Sequence, residues 1–68
     1  MAKIVRLDFS PGGEVLSTSE FGNGFSEEQV RFIFRALCNS LSEEYKLDMW
    51  DSFTFYIPSC DVLFSLQP

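Results

Sequence analysis

The chain has 68 residues, with ten Asp and Glu against five Lys and Arg, no His, and a net charge of −5. That length allows one domain with one core, and the charge balance excludes a general phosphate-backbone binder, which needs clustered cations. Small domains offset the entropy of ordering with disulfides, a metal or a very apolar core; with 46% hydrophobic residues and eight Phe, the third route is expected, and residues 1–68 are read as one compact unit.

The first nine residues hold no apolar stretch behind a basic start, no run approaches the ~18 apolar residues that cross a bilayer, and no lipidation pattern marks either end. The cytoplasm is the expected compartment, and no membrane partner is expected. Cys38 and Cys60 lie 22 apart in a chain without His. A structural zinc site wants four Cys or His ligands, so neither a metal nor a cofactor is expected. The two thiols read as reduced packing residues, with one disulfide as the alternative in an oxidising compartment.

In chain order, Lys3-Ile4-Val5-Arg6-Leu7-Asp8-Phe9 alternates as a half-buried strand, with Val5, Leu7 and Phe9 on the expected inner face and Arg6 and Asp8 outside. Ser10-Pro11-Gly12-Gly13 is a hairpin turn. Glu14 to Phe21 is a second strand, and Ser17-Thr18-Ser19 makes it polar enough to suit an edge. After Gly22-Asn23-Gly24, Ser26 is a good N-cap with Gln29 as its capping-box partner, and Phe25 is placed to staple against Val30. Val30, Ile33, Phe34, Leu37, Cys38 and Leu41 then form one helical stripe, so the helix reaches at least Leu41. Leu47 to Asp51 reads as a connector. Phe53 to Ile57 is a strand with Phe53, Phe55 and Ile57 on one face, and Val62 to Leu66 is the last, with Val62, Phe64 and Leu66 inward. The fold class is α+β: a two-layer ββαββ domain with a four-stranded, mainly antiparallel sheet and one helix packed on one face.

Such a sandwich has no obvious place for Ile4, Leu16, Phe32, Tyr45, Leu47, Met49, Trp50, Tyr56 and Leu63. Phe32 stands out, lying among Glu28, Arg31, Arg35 and Asn39 on the polar side of the helix, while Ile4, Tyr56 and Leu63 would share the outer sheet face. Two readings compete. Either the connector folds over that face and the rest is ordinary surface, or the surplus is an interaction patch.

Catalytic chemistry finds no foothold. Ser and Cys nucleophiles lack a His base. Carboxylates drawn from Glu43, Glu44, Asp48 and Asp51 would need a pocket that encloses a sugar. Asp48-Met49-Trp50-Asp51 lacks calcium-loop spacing, and the Gly22-Asn23-Gly24 turn is followed by acids where an anion would sit. The chain is therefore not expected to be an enzyme. Lys3, Arg6, Arg31 and Arg35 are the sole footing for direct nucleic-acid binding, if they are adjacent.

Charge is uneven, with a net of −1 over residues 1–35 and −4 over residues 36–68. The acids gather from the helix end through the connector, beside Tyr45, Met49 and Trp50. Carboxylates interleaved with aromatics steer toward a basic partner; a merely solubilising face is the plainer reading. The expected function is a small acidic protein-binding module that occludes or modulates a larger protein, with Phe32, Glu43, Glu44, Tyr45, Asp48, Trp50, Asp51 and Tyr56 at its interface. In size, charge and lack of motifs the chain is similar in general character to small phage-encoded anti-defence inhibitors, anti-CRISPR proteins among them. That resemblance implies a nucleic-acid-binding target protein, some inhibitors of this kind presenting carboxylates to nucleic-acid sites. The alternative is a self-associating accessory subunit, a homodimer through the exposed apolar face.

Overall fold

The computed structural model describes residues 2–68. Six elements follow one another: β1 (Lys3–Phe9), β2 (Val15–Phe21), α1 (Glu27–Ser42), β3 (Asp48–Asp51), β4 (Thr54–Ile57) and β5 (Val62–Gln67). The strands form one antiparallel sheet in the order β2-β1-β5-β4-β3, and α1 packs over its central pair, β1 and β5. The α+β class and the single helix on one face are as the sequence predicts. The strand count is five rather than four, because the expected connector supplies β3. Its two Asp and one Met give little β propensity, and the strand exists because β4 offers it an edge. Asp51 Oδ1 accepts a hydrogen bond from the Phe53 amide at 2.7 Å, tightening the turn between the two strands.

Local signals account for the first hairpin and the helix start. In the β1–β2 turn the Gly13 amide donates to Ser10 O at 2.9 Å, and Gly13 takes a φ of 87°, which a residue with a Cβ resists. β2 lies at the sheet edge with all seven residues exposed, as its polar centre suggests. The capping box forms in both directions: the Gln29 amide donates to Ser26 Oγ at 3.2 Å, and the Ser26 amide donates to Gln29 Oε1 at 2.9 Å. The helix ends at Ser42, one residue past Leu41.

The face assignment of β1 is the main correction. Cross-strand partners share a face, and Ile4, Arg6 and Asp8 stand opposite Leu66, Phe64 and Val62. Those three β5 residues are buried under the helix together with Phe55 and Ile57 of β4. Ile4 is therefore core, only 1% exposed, and not surplus on the outer face. Val5, Leu7 and Phe9, expected inside, lie on the opposite face, where Val5 is nonetheless buried at 7% exposure. β5 is the more strongly amphipathic strand, and its register dictates which side of β1 turns inward; a one-residue slip would reverse it. Arg6 and Asp8 are tolerated on the helix side because each satisfies the other. Arg6 Nη2 lies 2.9 Å from Asp8 Oδ1, Ser17 Oγ donates to Asp8 Oδ2 at 3.1 Å, and the guanidinium sits 5.8 Å from the Phe64 ring centre.

Ala2, Ile4, Val30, Phe34, Phe55, Ile57, Val62, Phe64 and Leu66 make the core, with Leu37, Cys38, Leu41, Tyr45 and Leu47 packed against it. Phe55 stacks on Phe64 with ring centres 5.2 Å apart and meets Phe34 at a tilt with ring centres 5.5 Å apart. Ile33 and Phe53, expected inside, are exposed, as is Val15 on the edge strand, while Tyr45 and Leu47, expected as surplus, are partly covered. Cys38 and Cys60 are both free thiols.

Candidate interaction surfaces

The sheet face away from α1 has no second layer. Its register aligns Thr18, Leu7, Leu63, Tyr56 and Asp48 in one row crossing all five strands. Leu7, Leu63 and Tyr56, half-buried, form a continuous apolar centre. At the β3 end the pairing is irregular: Met49 faces Phe55 and Asp51 faces Thr54, leaving Trp50 without a partner in β4. Such a bulge re-aims side chains. Here it puts Asp48 and Asp51 on the same face as their partners Tyr56 and Thr54, and it leaves the Trp50 ring 6.1 Å from that of Tyr56. Met49 alone turns to the helix side, where Cys38 Sγ lies 3.8 Å from its sulfur. Trp50 is 60% exposed, next to exposed Asp51 and two residues from exposed Asp48.

Tyr56 is held from below. Its hydroxyl donates a short hydrogen bond to Asp61, in the turn before β5, and that bond raises the phenol pKa above its ordinary value. Asp61 itself has a φ of 56°, a left-handed conformation that Asp tolerates better than most residues. Of the eight residues the sequence singles out, Asp48, Trp50, Asp51 and Tyr56 come together on this face.

The other four lie elsewhere. Glu43 and Glu44 are exposed at the C-terminal end of α1, in the helix layer, where the macrodipole disfavours negative charge. Tyr45 is half-buried against the core, and neighbouring Cys60 first, then Glu44, raise its phenol pKa. Phe32 projects from the helix, 74% exposed, on the opposite side of the sheet from Trp50. It shares a shallow depression with Phe25 and Ile33. The helical stripe placed Ile33 in the core and so concealed this pairing; Phe25, expected as a staple, is half exposed.

The four cations offered for nucleic-acid binding do not form one patch. Lys3 is on the open sheet face, paired with Glu20 at 3.1 Å, Arg6 is on the helix side of β1, and Arg31 and Arg35 belong to the helix. Among the described residues, no helix is long and apolar enough to cross a membrane, and no three His, Cys, Asp or Glu side chains gather as metal ligands. No protein-family model matches the chain, and neither does any curated protein or solved structure.

Proposed function

We propose that this protein is a noncatalytic binding module that occludes a site on a larger protein through the open face of its sheet. Trp50 and Tyr56 serve as anchors, and Asp48 and Asp51 meet basic groups on the partner. One observation carries the reading: the β3 bulge gathers a solvent-exposed Trp, its Tyr neighbour and two carboxylates on the sheet face that carries no helix or second sheet. Trp and Tyr are the residue types that dominate binding energy at interfaces, and flanking carboxylates raise the encounter rate with a basic surface. Glu43 and Glu44 extend the acidic field from the helix end. A partner that itself binds nucleic acid has the required basic surface, as the resemblance to phage anti-defence inhibitors implies.

The test is affinity retention from the native host with two matched controls, Trp50→Ala and the double variant Asp48→Asn/Asp51→Asn. One partner retained by the parent chain, lost with either control and weakened by salt supports the reading. Equal retention by all three chains refutes it.

A second reading, self-association of the open faces, is favoured by the uncovered Leu7–Leu63–Tyr56 row. It requires a dimer at micromolar concentration that persists at high salt and dissociates in Leu63→Glu. Sedimentation distinguishes the two.

A further inference from the structure

We infer that the cleft between α1 and the β3–β4 turn is a docking site of opposite sign, one that takes an acidic, apolar peptide segment of a partner protein. The cleft is a cavity of about 220 Å³ with Phe34 and Phe53 in its lining, Met49 on the β3 side, and Arg31, Arg35 and Asn39 along the helix. It is independent of the open sheet face, from which the helix side is separated by the sheet itself.

Charge complementarity argues for the occupant. Of the five Lys and Arg in the chain, Lys3 and Arg6 are committed to Glu20 and Asp8 at 3.1 and 2.9 Å, and Lys46, beyond the helix end, is not part of the cleft lining. Arg31 reaches Glu27 only at 3.9 Å, between two exposed side chains, and Arg35 has no ion pair among the described residues. These two least committed guanidiniums stand one helical turn apart on the same cleft. They also border a second shallow recess with Phe32 between them. In a protein of net charge −5 this is a local basic spot with an aromatic on each flank, since the Arg31 guanidinium lies 5.8 Å from the Phe53 ring centre.

Size narrows the occupant further. At about 220 Å³ the cavity lies below the ~300 Å³ of an ordinary small-molecule pocket, so it suits one inserted side chain. Two guanidiniums spaced along a helix match carboxylates spaced along a peptide, with the fork geometry that favours bidentate pairing. The apolar lining takes a Leu or Phe between those carboxylates. A long polyanion would be repelled by the net charge of the whole chain, whereas a short segment with a few carboxylates meets chiefly the local pair within a Debye length of about 8 Å. Nucleic acid is therefore disfavoured as the occupant.

The experiment uses the full chain, labelled with nitrogen-15, and a terminally blocked decapeptide alternating Glu with Leu and Phe. Two comparison probes are its Lys counterpart and a single-stranded oligonucleotide of equal length. The expected result is saturable shifts at Arg31, Arg35, Asn39 and Met49 with the Glu peptide alone. Arg35→Gln should weaken binding about tenfold, through loss of one charge-assisted contact. Arg35 is exposed, so this variant keeps its fold, and an unchanged spectrum away from the cleft checks that it has. Shifts confined to the open sheet face, undiminished binding by Arg35→Gln, or equal binding of the Lys peptide or the oligonucleotide overturns the inference. Loss of the open-face partner through Trp50→Ala leaves this result unaffected, so the two readings fail separately.

Discussion

Gly22 lies against Val30, and a Cβ built on it would meet Val30 Cγ2 at 3.0 Å. The chain leaves β2, turns at Gly22 with a φ of 91°, and enters the helix so closely that Val30 is completely buried beneath the turn. This contact sets where α1 begins relative to the sheet, and through it where the helix side of the molecule places Phe32, Arg31 and Arg35.

Gly22→Ala should therefore destabilise the fold by about 2 kcal/mol, combining the left-handed backbone penalty with displacement of Val30. Gly13→Ala is the control. Its φ of 87° carries the same backbone penalty, but nothing lies within 4 Å of the added methyl, so about 1 kcal/mol is expected. Urea denaturation of both variants measures the difference, which reports the Val30 contact. Equal losses would show that the contact is relieved at no cost.

Phe32 and Phe55 should separate surface from core. Phe55 is fully buried between Phe34 and Phe64, and Phe55→Ala should cost ~3–5 kcal/mol. Phe32→Ala should stay within ~0.5 kcal/mol of the parent. Denaturant midpoints check both, and a large loss at Phe32 would mean that its ring is covered.

The helix C-terminus carries Glu43 and Glu44 and no basic residue in its last turn. Glu44→Lys should raise stability by about 0.3–1 kcal/mol at low salt, since a cation replaces an anion at the negative end of the dipole. The gain should shrink as ionic strength rises. Under the proposed function the same substitution should slow association with the basic partner, measurable by stopped-flow fluorescence of Trp50, the single Trp of the chain. A native chain that keeps acids where a Lys would stabilise it is consistent with selection for binding.

Asp8 should govern part of the acid response. The hydrogen bond from Arg6 is the first cause that lowers its pKa, and Ser17 adds to it. A carboxylate depressed in the folded state contributes stability that is fully present above its unfolded pKa, near 3.9, and is lost as pH falls through the folded value. Carbon-13 titration should find Asp8 below the ordinary carboxylate range, and Arg6→Met should return it toward that range. An unshifted Asp8 in the parent chain would remove the Arg6 ion pair from the account.

Tyr56 provides the complementary check at alkaline pH. Its phenol pKa is raised by the bond to Asp61, so the stability it contributes is complete below the unfolded pKa of about 10 and declines as pH rises toward the folded value. Asp61→Asn should bring the ultraviolet titration of Tyr56 down toward that of a free phenol.

Much of the fold is written locally. Ser26 and Gln29 fix the helix start, Pro11 to Gly13 make the first turn, and the Val62-Phe64-Leu66 alternation identifies both the last strand and its buried side. The exposed position of Phe32 also follows from the helical period alone. β1 is different, because Ile4, Arg6 and Asp8 alternate against Val5, Leu7 and Phe9, and hydropathy favours turning the second set inward. The decision came from pairing with β5, and a mutually satisfied Arg6–Asp8 pair made the less apolar face acceptable.

The candidate site was half legible. Trp50, Tyr56, Asp48 and Asp51 could be selected by residue type, but nothing in the order Asp48-Met49-Trp50-Asp51 announces a strand, still less a bulge. β3 takes its conformation from the edge that β4 offers across a two-residue turn, and β4 is itself held in the sheet by β5. The sequence by itself determined the class of fold, the start of the helix and the excess of apolar surface, because capping, turn chemistry and periodicity act over a few residues. Only the tertiary structure decided which face of β1 is core, because its register with β5 joins residues far apart in the chain and one step of it exchanges inside for outside. It also decided that β3 exists and that Trp50 and Tyr56 meet beside two carboxylates, because the residue types of β3 announce neither its hairpin with β4 nor the bulge within it.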